Sequence, residues 1–396
     1  MRKFIACILL SALLAPGIAP AQTAPTRPAT KASSQAAGKT APARSGVPNS
    51  WTQVPIPPLQ QFKPQEPKRV QLANGLVIFL QEDHELPLIN GSFRIRGGSR
   101  DEPAEKVGML DIYGEVWRTG GTTSKTGDQL DDFLESRAAS VETSSSADST
   151  FLGWSSLKAD FDQVLPVVID LLEHPEFREE KIKLAKQQLD SAISRRNDDV
   201  DDIARRESTK IAYGPENPYA RTAEYYTVAA VTREDLLAWH KRTIVPSNMM
   251  IGITGDFDSA EMERKLEQAF GSLPKGEPFV SAKIDFHEPT PGIYFVEKDD
   301  VNQSEITMVD LGTDRRNPDY YAIVVMNEIL GGGFASRLFS NIRTRLGLAY
   351  SVGGGVGTAF DHPGVSRIGM GTQSGNTARG IEALRKQIAD FIQGGV

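Results

Sequence analysis

Apolar and polar positions fall into two rhythms along this chain. Asn74-Gly75 marks a turn, LVIFLQE after it reads as a strand, and SFRIRG alternates as the next. The period then lengthens. From Ala104 to Arg118, Leu110, Tyr113 and Trp117 fall on one helix side, and Gly120-Gly121 ends the run. DQLDDFLESRAA repeats the helical spacing through Leu130, Phe133, Leu134 and Arg137. TSSSADSTFLGWSSL reads as strand, FDQVLPVVIDLLEH as a helix kinked at Pro166, and EEKIKLAKQQLDSAISRRNDD as a long amphipathic helix. MMIGITGDFD reads as a buried strand ending in a turn.

The pattern then starts again. GIYFVEKDDVNQSEITMVDLGTDRRNPDYYAIVVMNEILGG follows the order of GLVIFLQEDHELPLINGSFRIRGGSRDEPAEKVGMLDIYGE: strand, acidic turn, strand, charged turn with proline, helix. GIEALRKQIADFI likewise parallels FDQVLPVVIDLLEH. The repeat divides the folded region into residues 67–286 and 287–396. The second copy is expected to be partial, with on the order of a hundred residues belonging after Val396 if the halves match.

Ahead of this region, MRK and the apolar FIACILLSALLAPGIA resemble an export signal, with cleavage expected after Ala21. Pro16 and Gly17 interrupt the stretch too early for a membrane anchor, which needs ~20 apolar residues. The expected destination is a bacterial periplasm or the outside. Residues 22–66 are rich in Ala, Pro, Thr, Ser and Gln and read as a disordered spacer. Within it, Val54–Pro58, flanked by Trp51, Leu59 and Phe62, could instead pack as an extended strap.

Charge narrows the function. The formal balance is 44 − 51 = −7, and loss of Arg2 and Lys3 with the leader takes it to −9. Such a balance argues against nucleic-acid binding. The one cysteine, Cys7, lies in the leader, so the chain after it has no thiolate chemistry. The five histidines, His84, His174, His240, His287 and His362, are scattered, with no two within a helical turn. His84 and His174 read as solvent-side residues and His240 as structural.

Four segments together carry a family resemblance: NGLVIFLQEDHELPL, GGSRDEP…VGMLDIYGEVWRTGGTTSKTGDQLDDFLE, VTREDLLAWHKRTIVPSNMMIGITGDFD and LGGGFASRLFSNIRTRLGLAYSV. The region from about Lys68 to Val396 resembles the insulinase/pitrilysin zinc peptidases, the group that includes mitochondrial processing peptidase. The resemblance implies an α+β fold of two homologous sandwich domains facing a peptide chamber, the second incomplete here.

In that family an H-x-x-E-H helix holds zinc through two imidazoles one turn apart, and its glutamate activates the bound water. The matching positions here are Asp111, Gly114 and Glu115. Both imidazoles and the base are missing. The resemblance places the third ligand near Asp190, Ser191 and Ala192, with Ala192 as the favoured match. An alternative is an oxygen-rich cation site made by Asp111, Glu115 and Asp190. The family's second domain supplies an arginine and a tyrosine that hold substrate and stabilise an oxyanion, and Arg343 and Tyr350 match them. Leu338 to Leu346 reads as a helix stopped by Gly347, and LAYSV as the strand that follows.

Three functions compete on this sequence. The favoured one is the silent subunit of a heterodimeric zinc peptidase. It would bind no cofactor itself, donate Arg343 and Tyr350, and work on extended peptides with a partner that carries H-x-x-E-H and the zinc. The others are an active peptidase with a carboxylate metal site and a non-enzymatic peptide-binding or assembly protein.

Overall fold

The computed structural model describes residue 61 and residues 63–395. The expected leader, nearly all of the spacer and the strap residues Trp51, Val54–Pro58, Leu59 and Phe62 lie outside the described residues.

Three strands open the fold: β1 (Lys68–Gln71), β2 (Val77–Glu82) and β3 (Leu88–Arg96). The Asn74-Gly75 turn forms because Gly75 takes φ 97°, and the Asn74 amide donates to the Phe270 carbonyl at 2.7 Å. Next come α1 (Met109–Thr119) and α2 (Gly127–Glu135). The helix expected from Ala104 begins only at Met109. Pro103 and a left-handed Gly108 (φ 98°) break the run, leaving a single 3-10 turn at Ala104–Lys106. The single expected strand around TSSSADST is a hairpin, β4 (Ser140–Ser145) and β5 (Ser149–Leu157), turning at Ser146–Asp148. Helices α3 (Phe161–Glu173), α4 (Glu179–Arg195), α5 (Val200–Tyr213), α6 (Tyr225–Ala230) and α7 (Arg233–Thr243) precede β6 (Met249–Gly255) and α8 (Ser259–Phe270). The six strands form one sheet in the order β1-β2-β6-β3-β5-β4. Only β2 and β6 run parallel. Alternate strand residues such as Ile78, Leu80, Phe93 and Ile95 meet the buried sides of α1, α3, α7 and α8 in one core.

The second lobe repeats the first in part. Its elements are β7 (Gln303–Leu311), β8 (Thr313–Asp314), α9 (Tyr320–Leu330), β9 (Ser351–Gly355), β10 (Thr358–Ala359), β11 (Val365–Gln373) and α10 (Thr377–Gly394). The sheet order β7-β11-β9 mirrors β3-β5-β4, and β8 and β10 make a small parallel pair. A smaller core gathers around Leu330, Leu338, Ile342, Leu348, Met370 and Leu384. The architecture is α+β.

One expected strand is missing. GIYFVEK, residues 292–298, has no regular structure, and Ile293 is 99% exposed. The reason lies in pairing. Its counterpart β2 is hydrogen-bonded to β1 on one side and β6 on the other, and β6 also pairs with β3. Among the described residues no strand lies between 292–298 and β7 to do the same, so the segment's apolar side chains have no sheet to join.

The lobes meet along α5. Arg367 of β11 donates from Nε to Ser208 Oγ at 2.9 Å, and Tyr213 donates to the Pro363 carbonyl at 2.7 Å. Beyond the helix, Arg100 lies 3.0 Å from Asp148 and 3.5 Å from Asp361. Tyr219 stacks on His362 with ring centroids 4.0 Å apart.

Candidate functional site

Helix α1 is held rigidly on its buried side. The Glu102 carboxylate accepts from the amides of Gly108 at 3.1 Å and Leu110 at 3.0 Å, satisfying donors that a helix start leaves open. Burial nevertheless pushes the Glu102 carboxyl up to about 7. A methyl at Gly108 would lie 3.0 Å from Leu189 Cδ2 of α4, so the two helices touch closely there. Further along, the Tyr113 hydroxyl bonds His240 Nδ1 at 2.8 Å, and His240 Nε2 lies 2.8 Å from the Leu172 carbonyl. Burial lowers the His240 pKa to about 4, so the ring is neutral. Its Nε2–H then donates to Leu172, and Nδ1 accepts from Tyr113. His240 is therefore a satisfied core residue, and no ring nitrogen is free for a metal.

The other side of α1 is open. Asp111 and Glu115 are exposed one turn apart, and neither forms an ion pair among the described residues. The surrounding protein raises the Asp111 pKa by desolvation alone; neither Glu115 nor Asp190 contributes to that shift. Between them sits the buried Gly114. Edge strand β4 runs directly against it, with Thr143 Oγ1 donating to the Gly114 carbonyl at 2.7 Å. A Cβ at Gly114 would fall 2.7 Å from the Ser145 amide nitrogen and 3.0 Å from the Ser144 carbonyl carbon. No side chain fits there without moving β4.

Ala192 is exposed on α4 and brings no ligand atom. It lines a cleft of about 580 Å³ with Ser191, Arg195, Arg196, Asp199 and Arg206. Asp190, two residues earlier, has a buried Oδ1 without a hydrogen-bond partner. The alternative trio Asp111, Glu115 and Asp190 does not form a group with ligand atoms close together among the described residues. Among the described residues, the one group of three such side chains with ligand atoms within 4.8 Å is Asp148, Asp361 and His362. There the guanidinium of Arg100 already occupies the place of a cation. Zinc does not fit the residues at the α1 site: two exposed carboxylates flank a glycine pressed by a strand, Ala192 on α4 brings no ligand atom, and among the described residues no imidazole joins them in a metal-holding group.

Arg343 and Tyr350 do come together. The helix from Leu338 is π-wound over Phe339–Arg345, a form that recurs at functional sites. Gly347 turns the chain at φ 61°. The strand expected at LAYSV starts later, at Ser351, and Tyr350 stands just before it with its amide donating to the Gly371 carbonyl. The Arg343 guanidinium sits 5.3 Å from the Tyr350 ring centroid and 4.6 Å from that of Phe339. The Tyr350 side is open, at 80% exposure. Phe334 stacks edge-on against Phe339 at 4.8 Å. Stacked on two rings, the guanidinium keeps its in-plane donors free. Sequence reasoning passed over Phe339, although its four-residue spacing from Arg343 on a helix was visible. It also passed over Glu102, whose role depends on a chain reversal that no local pattern encodes.

Two family models align with this geometry. The model described as insulinase, peptidase family M16, matches residues 78–223, and that of the peptidase M16 inactive domain matches residues 230–396. The chain belongs to the insulinase family. It is 24% identical over 333 residues to the uncharacterized zinc protease YmxG of Bacillus subtilis, covering 83% of this chain and 79% of that one. It is 22% identical over 331 residues to the non-peptidase homolog YmxG of Helicobacter pylori, covering 81% and 73%. A crystal structure of a peptidase M16 inactive domain from Pseudomonas fluorescens shares the fold. Its TM-score is 0.77 at 24% identity, over 84% of this chain and 80% of that one.

Proposed function

We propose that this insulinase-family member is the non-catalytic subunit of a two-chain zinc peptidase. It helps enclose extended peptides and presents Arg343 and Tyr350 to them, while a partner chain with an intact H-x-x-E-H helix holds the zinc and activates water. The observation that carries this reading is the contrast between the lobes. The α1 site has lost its imidazoles and base and is closed at Gly114 by β4, whereas Arg343 and Tyr350 converge in the open. The relative named a non-peptidase homolog supports a silent role. β4 is an edge of the six-stranded sheet, so a peptide can add to it by strand pairing beside α1. An exported, periplasmic setting belongs to the same proposal and rests on the leader sequence.

The test is metal content and activity of the chain alone and mixed with an H-x-x-E-H paralogue. The full-length chain should contain no stoichiometric zinc and cleave no peptide, and the mixture should cleave. Stoichiometric zinc with chelator-sensitive hydrolysis by the unmixed chain overturns the proposal. An unmixed chain that binds peptides, but never raises the paralogue's turnover, favours the assembly reading instead.

A further inference from the structure

The last turn of α7, Val245 beyond it and residues 276–280 enclose a second cleft, of about 460 Å³. That volume is within the ~300–1,000 Å³ usual for small-ligand pockets. Its lining shares no residue with α1 or with the Arg343 pair.

One wall is a strap pinned at both ends. The Lys275 carbonyl accepts from the Ser247 amide at 3.1 Å, and the Gly276 carbonyl accepts from the Ser247 hydroxyl at 3.1 Å. At the other end, the Ser281 hydroxyl donates to the Asp101 carboxylate at 3.2 Å. Gly276 takes φ 68°, and a methyl there would run into Val245 Cβ, so glycine lets the strap come this close. Between the pins, Phe279 is buried and packs edge-on against Trp239 at 5.6 Å. The cleft is therefore shaped before a ligand arrives, which lowers the cost of binding.

Two cations open onto it. Lys241 and Arg242 are exposed, and neither forms an ion pair or a side-chain hydrogen bond among the described residues. The Arg242 guanidinium lies 4.5 Å from the Phe279 ring centroid and 6.0 Å from that of Trp239. Packed on these rings, it keeps its in-plane donors for an acceptor. Trp239, against which both Arg242 and Phe279 pack, is buried with its Nε1–H unpartnered among the described residues. A buried donor in that state costs free energy until an acceptor reaches it. Val245, Pro278, Phe279 and Val280 make the rest of the lining apolar, apart from Glu277. Asp101, the other acid near Arg242, is engaged by Ser281 and by the Gly98 amide at 3.4 Å.

We propose that this cleft binds the free C-terminal residue of a peptide, with its carboxylate on Arg242 and Lys241 and an apolar side chain against Val245, Pro278 and Val280. A carboxylate matches the guanidinium fork through two parallel hydrogen bonds. The carbonyl of an internal residue or of a terminal amide offers one uncharged oxygen instead. Glu277, on the strap, is an acceptor for the last peptide N–H and opposes an acidic side chain. A terminal leucine or valine fits these demands. The cleft uses neither Arg343 nor Tyr350, so it stands or falls apart from the two-chain reading.

Calorimetric titration of the unmixed full-length chain tests this. The probe is an acetylated tetrapeptide of three alanines and a terminal leucine, as the free acid and as the C-terminal amide. The acid should bind at least about tenfold more tightly, the scale of a hydrogen bond to a charged group. Binding at Arg343 and Tyr350 would be common to both forms and leaves their ratio unchanged. Arg242→Gln should bring the ratio near one, and Lys241→Gln should reduce it in part. Because Arg242 also packs on Phe279, Val280→Asp supplies a check at a position that is 79% exposed: it should weaken the acid about tenfold and the amide little. Far-UV circular dichroism confirms that each variant is folded. Octanoate, a carboxylate with an apolar chain but no peptide group, should bind less tightly than the peptide acid. Equal affinity for acid and amide in the parent overturns the proposal, as does an acid that fails to bind at about 1 mM. So does a preference that survives both Arg242→Gln and Val280→Asp, or octanoate binding as tightly as the peptide.

Discussion

Gly114→Ala sets two physical effects against each other. Glycine inside a helix is about 1 kcal/mol less favourable than alanine, so helix propensity alone has the variant more stable than the parent. The packing predicts the reverse. The new methyl would stand 2.7 Å from the Ser145 nitrogen, 3.0 Å from the Ser144 carbonyl carbon and 3.1 Å from Ser145 Oγ. The first two contacts are with backbone, which cannot swing aside as a flexible side-chain tip can. Relief requires β4 to move away from α1, and that breaks the 2.7 Å bond from Thr143 to the Gly114 carbonyl. It also disturbs the 3.0 Å bond from Arg118 Nε to the Val141 carbonyl. Overpacking of this kind costs ~1–3 kcal/mol, and a lost hydrogen bond adds ~1 kcal/mol. After the propensity gain the variant should be less stable by about 1–3 kcal/mol. Urea unfolding followed by Trp117 and Trp154 fluorescence reads this as a lower midpoint at unchanged slope. An alanine variant as stable as the parent, or more so, would refute the close approach and with it the claim that β4 closes the site.

Three further outcomes are expected. In the reconstituted pair, Tyr350→Phe should lower kcat by about a hundredfold; Arg343→Ala should also raise KM, and Arg345→Ala should do much less, so steady-state kinetics within about twofold of the parent for the first two would remove the chamber assignment. Asp111→His with Glu115→His should bind zinc weakly, since both positions are exposed one turn apart, but adding Gly114→Glu should destabilise the fold rather than complete an active site; equilibrium dialysis and melting of the double and triple variants decide this. His240 and Glu102 should oppose each other over nearly the same pH range: His240, neutral with a pKa of about 4, supports folding fully above about 6.5 and loses that support as pH falls through 4, whereas Glu102, held up to about 7, supports folding fully below about 4.5 and loses that support as pH rises through 7, so between those limits the two slopes nearly cancel. Denaturant unfolding between pH 4 and 8 should be nearly flat for these two groups in the parent, and Glu102→Gln should uncover the His240 limb as a stability that rises with pH from about 4 to 6.5.

What the sequence disclosed was whatever local periodicity controls. The strands around Asn74-Gly75, the helices from Asp128 to Arg195 and the internal repeat are all written in spacings of two, three and four residues. The first helix of the site was misjudged at its start because Gly108 and Pro103 act against an otherwise good helical pattern. The strand at residues 292–298 was misjudged for a different reason. Its composition suits a strand, but a strand exists only beside another, and the neighbour that β2 has in β6 is absent next to β7 among the described residues. The site shows the same division. Asp111, Gly114, Glu115, Arg343 and Tyr350 could be located by motif. What packs around them was out of reach, because β4 against Gly114, Phe339 beneath Arg343 and Glu102 on the α1 amides are contacts between residues whose meeting the fold alone decides.

The two sides of α1 explain how a peptidase helix can lose its chemistry and keep its place. Everything that fixes the helix lies on the buried side: the Glu102 clamp, the Tyr113–His240 bond, and Trp117 donating to the Leu171 carbonyl at 2.7 Å. Everything that would hold a metal lies on the open side, at Asp111 and Glu115, where a substitution costs the fold little. Position 114 is the exception, since it faces the edge strand. A side chain there holds β4 off, and a glycine lets it close. With glycine in place, the contact between α1 and β4 becomes part of the core's own stability, and a base at this position is opposed by backbone rather than by solvent. Restoring the chemistry of this lobe therefore requires moving a strand as well as exchanging three residues. The pair at Arg343 and Tyr350 carries no such structural debt in the second lobe, since the guanidinium rests on the Phe339 and Tyr350 rings and Tyr350 is exposed, and under the proposed two-chain function this is the pair that would meet the peptide.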